Sequence, residues 1–187
     1  RYLKVINDNS TQGLDNDQDN ESETFYSDYQ WQKNLKKHNL RITTGSTNEI
    51  VFARSDLFQG NNTRINNSLY TQLDKKINRL NFSFGARYES FTINSEKEYV
   101  IDGNAINNFN ASKPVFRTGV NYQAAEATYL RGSWGQGFRF PSMAELFISA
   151  TQAGLEIYAN PELRPESGWS AEIGLKQGVK ISNWMGY

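Results

Sequence analysis

Residues Gly135-Gln136-Gly137-Phe138-Arg139-Phe140-Pro141-Ser142-Met143-Ala144-Glu145-Leu146-Phe147 and, after a spacer, Asn160-Pro161-Glu162-Leu163-Arg164-Pro165-Glu166 decide how the whole chain is read. An alternating run, Thr128-Tyr129-Leu130-Arg131-Gly132-Ser133-Trp134, leads in. A second, Trp169-Ser170-Ala171-Glu172-Ile173-Gly174-Leu175-Lys176, leads out. Strand side chains point alternately to opposite faces, so Gly135 and Gly137 fall in phase with Arg131 and Ser133 and leave that polar face without bulk. Pro141 fixes φ and has no N–H for a ladder, which ends the strand. It also suits the first turn of a helix, with Ser142 as the alternative cap and Glu145 near the positive helix end. Pro161 and Pro165 keep the return segment extended. The stretch predicts a strand, a short helical patch near 142–148, a Pro-framed return and a strand running back.

Outward from there, the same two-residue period recurs. Phe25, Tyr29, Trp31 and Leu35 share one face, and a tight turn at Lys36-Lys37-His38-Asn39 leads to Leu40, Ile42 and Thr44, set against Arg41, Thr43 and Gly45. Leu69, Thr71 and Leu73 oppose Tyr70, Gln72 and Asp74; Leu80, Phe82, Phe84, Ala86 and Tyr88 oppose Asn81, Ser83, Gly85, Arg87 and Glu89; Phe116, Thr118, Val120 and Tyr122 oppose Arg117, Gly119, Asn121 and Gln123. These are hairpin signals. Further tight turns are predicted near Lys76 to Arg79, at Ala124 to Ala127 and at Ser182-Asn183. Asn7 to Glu23, about Asp56 to Asn67 and about Asn94 to Pro114 are so polar that they read as long solvated loops. Long and short connections then alternate along an all-β, antiparallel up-and-down meander. Large loops at one rim and tight turns at the other is the rhythm of an outer-membrane barrel. Aromatics near strand ends would form its two girdles: Phe25, Phe52, Tyr88, Phe91, Phe138 and Trp169 by the loops, and Tyr122, Tyr129 and Trp184 by the turns.

Composition agrees. Among 187 residues aromatics reach 13% while mean hydropathy is -0.70, a combination that suits alternating strands with polar connections and not a thick apolar core. Lys plus Arg and Asp plus Glu both number 20, so no global basic field collects nucleic acid. Cysteine is absent, which removes disulfides, thiolate metal sites and a Cys nucleophile. No apolar run approaches the roughly 18 residues of a membrane helix, but barrel strands need only about 10 alternating residues each. Arg1 opens mid-strand with no signal peptide, so the chain reads as a piece of a larger precursor.

The opening stretch resembles the TonB-dependent receptors, the energised transport barrels of the Gram-negative outer membrane. The resemblance rests on Gly135, Gly137, Phe138, Arg139, Pro141, Glu145 and Leu146, then Asn160, Pro161, Leu163, Pro165 and Glu166, then Glu172 and Gly174. These cover about a quarter of the chain, and elsewhere only the rhythm matches. The resemblance implies a transmembrane barrel of about 22 strands with a plugged lumen. It also implies uptake of a scarce nutrient (an iron chelate, a cobalamin or a glycan), with energy from the TonB protein acting through the plug. On this reading residues 1–187 are a partial barrel domain without plug or terminal strand. Its partners are outer-membrane lipid, the TonB complex and a small nutrient ligand, with no cofactor. An excised piece would carry two open edges. The motif residues are expected to be structural, and no ligand-binding residue is assigned.

Other constellations carry less. Asp15-x-Asp17-x-Asp19 with Asn20 resembles the start of a calcium loop, but Tyr26 stands where the closing glutamate belongs, so no metal site is assigned. His38 is the only histidine and has no nucleophile at motif spacing; no catalytic residue follows. Glu89 and Glu172, with Arg87 and Lys176 near, read as partners across the wall. Arg131 and Arg139 flank the glycines, where ion pairing at a loop base competes with recognition of an anionic ligand. Tyr158, Phe147, Phe109 and Phe58 are possible loop contacts. The rival readings are a passive porin or adhesin barrel, a soluble carbohydrate-binding β-sandwich, and a barrel enzyme.

Overall fold

The computed structural model describes residues 1–7, 20–55, 60–101, 104–147, 150–152, 155–158, 160, 162–181 and 184–186. The alternating runs become β1 (Tyr2–Asn7), β2 (Asn20–Leu35), β3 (Leu40–Ser55), β4 (Gly60–Ile77), β5 (Leu80–Ile101), β6 (Asn104–Ala125) and β7 (Thr128–Arg139). There follow α1 (Met143–Phe147), β8 (Ala150–Gln152), β9 (Leu155–Ile157), β10 (Glu166–Gln177), β11 (Val179–Ile181) and β12 (Trp184–Gly186). Eight of these stand in one antiparallel sheet in the order β1-β2-β3-β4-β5-β6-β7-β10, so chain neighbours are sheet neighbours throughout. The pairs β8–β9 and β11–β12 are small separate hairpins.

Register turns the sequence alternation into two surfaces. One row runs Trp31, Thr44, Thr71, Ala86 and Phe116; another runs Leu73, Phe84, Thr118, Trp134 and Ala171. These belong to the outward face, whose large apolar side chains stay uncovered: Tyr29, Leu69, Phe84, Trp169 and Leu175 are exposed, and Ile173 is 95% exposed. A contiguous apolar surface of this extent is not left to water. On β5 it lasts from Leu80 to Tyr88, about 26 Å at 3.3 Å per residue, the height of the apolar band of a membrane barrel. The opposite face carries Gln30, Thr43, Gln72, Arg87, Arg117, Ser133 and Glu172 by the same register. A soluble sandwich would cover the apolar face with a second sheet, and among the described residues none does.

The tight turns lie as expected. Lys36–His38 form one turn of 3-10 helix closed by Asn39 at φ 46, and Asn78 turns the β4–β5 hairpin at φ 51. Asn tolerates this left-handed geometry where most side chains clash. The expected long loops are different. β4 begins at Gly60, β5 runs to Ile101 and β6 starts at Asn104, so much of 56–67 and 94–114 is strand, and β2 already begins at Asn20. The reason is that ladder bonds need no apolar side chain. Beyond the membrane both faces of a hairpin can be amide and hydroxyl, as where Thr92 Oγ1 donates to Asn110 Oδ1 at 2.9 Å. The asymmetry between rims is therefore one of hairpin length. The acidic repeat at Asp15, Asp17 and Asp19, Phe58 and the Ser182-Asn183 turn lie outside the described residues, and Trp184 lies in a strand whose side chains are not described.

Two predicted girdle residues point the other way. Phe91 is in phase with Arg87 and Glu89, and Tyr129 pairs with Gln123 and Lys176 on the polar face. The outward aromatics at the loop side include Tyr2, Phe25 and Phe52, with ring centroids 4.9 and 6.2 Å apart in turn. The small core sits on the inward face, where Phe91, Ile93, Phe109, Leu146 and Phe147 are buried together.

Candidate functional site: the inward loop and the polar wall

The connection from β7 to β10 leaves the sheet and turns over its polar face. Of the two N-terminal assignments for α1, the structure takes Ser142 as cap. Glu145 N donates to Ser142 Oγ at 3.2 Å, and Ser142 N donates back to Glu145 Oε2 at 2.8 Å. This reciprocal capping box satisfies helix-end donors that would otherwise be orphaned. Pro141 precedes it and is buried. The five-residue helix is too short to hold itself. It is held by Leu146, 0% exposed, and Phe147, set with Phe91, Ile93 and Phe109, while Ala111, Phe140, Met143 and Leu163 pack around them. Phe140 stacks on Phe91 at 4.5 Å and meets Phe138 at 4.9 Å. Phe109 and Phe147 are thus packing residues rather than exposed loop contacts; Tyr158 is exposed.

Glu145 does a second job. Arg139 is the last residue of β7 and stands opposite Glu166, the first of β10. Its guanidinium donates to Glu145 at 2.8 and 2.9 Å and to Glu166 at 2.8 and 3.2 Å. A planar fork with five donors suits two carboxylates at once. Arg139 lowers the Glu145 carboxyl, helped by the Ser142 backbone N–H, to about 2. It also lowers Glu166, and the two carboxylates raise the guanidinium in return. The clamp joins the strand end, the helix and the returning strand. At the return, Asn160 Oδ1 accepts from Glu162 N at 3.2 Å, and Leu163 N donates to Asn160 O at 3.4 Å. Pro161 lies outside the described residues; Pro165 is half-buried.

The other motif residues are not gathered at this point. Gly135 pairs with Ser170, Gly137 with Gly168, Glu172 with Ser133 and Gly174 with Arg131, which strings them down the polar wall of β7 and β10. Arg131 is exposed there with no carboxylate in salt-bridge range among the described residues. Glu89 pairs with Arg87 of its own strand at 2.5 Å, where a partner across the wall was predicted. Arg87 also reaches Thr47 at 3.3 Å and lies 6.0 Å from the Tyr70 ring centroid; Arg64 pairs with Glu49 at 2.8 Å. The Arg64–Glu49 ion pair was not foreseen. The β3–β4 register sets Glu49 and Arg64 diagonally on the same polar face, and the alternation of each strand is the signal that could have found them.

An amphipathic meander with oil-facing aromatics outside, a wet wall inside and a loop folded inward defines an outer-membrane β-barrel. A family model described as TonB dependent receptor-like, beta-barrel matches residues 2–186, so the chain belongs to that family and to the Gram-negative outer membrane. Solved structures share the fold. The copper transporter OprC superposes with TM-score 0.71 at 15% identity, over 94% of this chain and 33% of that one. A double mutant of the Serratia marcescens hemophore receptor HasR, in complex with its hemophore HasA and heme, gives 0.69 at 16%, over 90% and 31%. The FrpB iron transporter of Neisseria meningitidis gives 0.63 at 12%, over 90% and 28%. The chain spans about a third of the length of these proteins. No curated protein sequence matches it.

Proposed function

We propose that this chain is part of the wall of an energised receptor that takes up a scarce nutrient, such as an iron chelate, a cobalamin or a glycan. TonB would supply the energy through a plug outside residues 1–187, which form a partial barrel domain lacking plug and terminal strand. The observation that carries this reading is the loop after β7, clamped by Arg139 and seated on the inward face. The family match over residues 2–186 supports an energised receptor over a passive channel. In this reading Gly135, Gly137, Phe138, Pro141, Leu146, Leu163, Pro165 and Gly174 shape the wall and its loop, and cargo contacts come from the rims. The fold-level likeness to a copper transporter, a hemophore receptor and an iron transporter supports a receptor without choosing its cargo.

The test is uptake by cells carrying the full-length protein, with radiolabelled ferric chelates, cobalamin and oligosaccharides as probes. One of them should accumulate against its gradient, and accumulation should stop when TonB is deleted or the proton-motive force is collapsed. Entry that continues at the same rate under both treatments would mark a passive porin and end the proposal.

A further inference from the structure

The net charge of zero conceals a segregation between the two rims. At the loop side, the outward-facing Lys4 is met by Glu21 and by Glu23, the latter at 3.1 Å, just past the Tyr2–Phe25–Phe52 aromatics. At the turn side the cations have no such answer. Lys33, Lys36, Lys37 and Arg79 are exposed and, among the described residues, form no ion pair. Lys75 donates through Nζ to the His38 carbonyl, which folds it over the same turn. From Phe25 to the turns, the outward positions of β2, β3, β4 and β5 hold no Asp or Glu. Of the nearby acids, Asp74 faces inward and is taken by Arg41 at 3.2 Å, and Glu126 belongs to the next turn, between β6 and β7.

Position decides what these cations meet. Lys33 lies two residues from Trp31 on the oil-facing side and pairs in register with Ile42. Lys75 occupies the same face beside Leu40 and Phe82. A cation at the lower edge of an apolar band extends its stem along the hydrocarbon and lifts its head into the headgroup layer. Short turns of such barrels face the periplasm, so the layer in question belongs to the inner leaflet. We propose that the turn rim of β2–β5 is a docking surface for anionic phospholipid headgroups, with Lys33, Lys36, Lys37, Lys75 and Arg79 as its cations. An acidic soluble protein could reach the turns but not Lys33, which lies against the bilayer edge. The proposal needs only the membrane-spanning fold and is independent of the cargo reading.

The experiment titrates the full-length protein, purified in a neutral detergent, with phosphatidylglycerol and phosphatidylcholine of identical chains and counts bound lipids by native mass spectrometry. With polybasic surfaces gaining strongly from each cation near anionic lipid, occupancy by phosphatidylglycerol should exceed that by phosphatidylcholine about ten-fold at low salt. The preference should fall to within about two-fold at high ionic strength, because exposed charges are screened. It should fall equally in a variant combining Lys33→Gln, Lys36→Gln, Lys37→Gln and Arg79→Gln, with heat-modifiable gel migration confirming an assembled barrel. If that variant does not assemble, Lys36→Gln with Lys37→Gln, confined to an exposed turn, should still lower the preference at least two-fold. Equal occupancy by the two lipids overturns the proposal. So does a preference that the variants leave intact, or one abolished by soluble glycerol phosphate at the lipid's own concentration.

Discussion

Arg139 is one residue with three structural clients: the end of β7, the start of β10 and the cap of α1. Its carboxylate partners set a pH dependence. Glu145 is depressed to about 2 by Arg139 and the Ser142 N–H. Its contribution is therefore fully present above the ordinary carboxylate range near 4.5 and is lost as pH falls toward 2. Hydrogen exchange on the full-length protein should show α1 amides losing protection between about pH 4.5 and 2 while the strands keep theirs; Glu145→Gln should produce the same loss at neutral pH. Strands and helix opening together at one pH would refute the assignment. A second residue-scale contrast concerns glycine. A Cβ on Gly45 would strike the Tyr29 carbonyl and come within 2.5 Å of the Tyr70 hydroxyl, whereas one on Gly174 meets nothing within 4 Å. Gly45→Ala should destabilise the wall by about 1–3 kcal/mol through overpacking, and Gly174→Ala should leave it unchanged, both read from urea midpoints in lipid vesicles.

At the scale of elements, the α1 loop shows that seating and clamping are separable. Leu146 is fully buried in the Phe91 cluster and takes no part in the ion pairs made by its neighbour Glu145. Leu146→Ala should cost about 2–4 kcal/mol of loop docking with little change in strand stability. Limited proteolysis would read it as new cleavage between Pro141 and Pro165, and uncut protein would mean that the clamp alone suffices. Elements are also where the sequence was most and least legible. Leu80 to Tyr88 alternates so regularly that strand, face and turn all follow from it. Gly60 to Asn67 looks like loop by composition yet pairs as strand, because amide-rich hairpins in water are held by their ladder rather than by burial. Phe91 misled for a related reason. Alternation assigns it to the polar face, but an aromatic near a strand end suggests a girdle, and only the inward loop explains why an apolar residue sits there. The Arg139 clamp was half visible: motif spacing brought Arg139, Glu145 and Glu166 to notice, while the double use of Glu145 needed the β7–β10 register and the helix start together.

The whole molecule is a partition between two solvents, and its faces should obey opposite rules. Phe84 stands at the middle of the outward run on β5, in contact with Phe116 at 6.3 Å between centroids. Gln72, one strand away, faces the polar side and donates to Asp74 at 3.1 Å. An arginine in place of Phe84 must hold its charge at the centre of the hydrocarbon or drag water inward, a penalty of about 2–4 kcal/mol at the bilayer midplane. The same arginine in place of Gln72 stands in the wet interior beside a carboxylate, so its effect should stay within about 0.5 kcal/mol. Both variants gain one arginine and one positive charge, while the residues lost differ, Phe84 giving up its contact with Phe116 and Gln72 its bond to Asp74. Reversible urea unfolding of the full-length protein in phosphatidylcholine vesicles would measure both. The penalty at Phe84→Arg should also shrink in detergent micelles, where the apolar layer is thinner and water closer. Equal destabilisation by Phe84→Arg and Gln72→Arg would mean that the two faces share one environment, and the barrel wall inferred from the alternation would have to be abandoned.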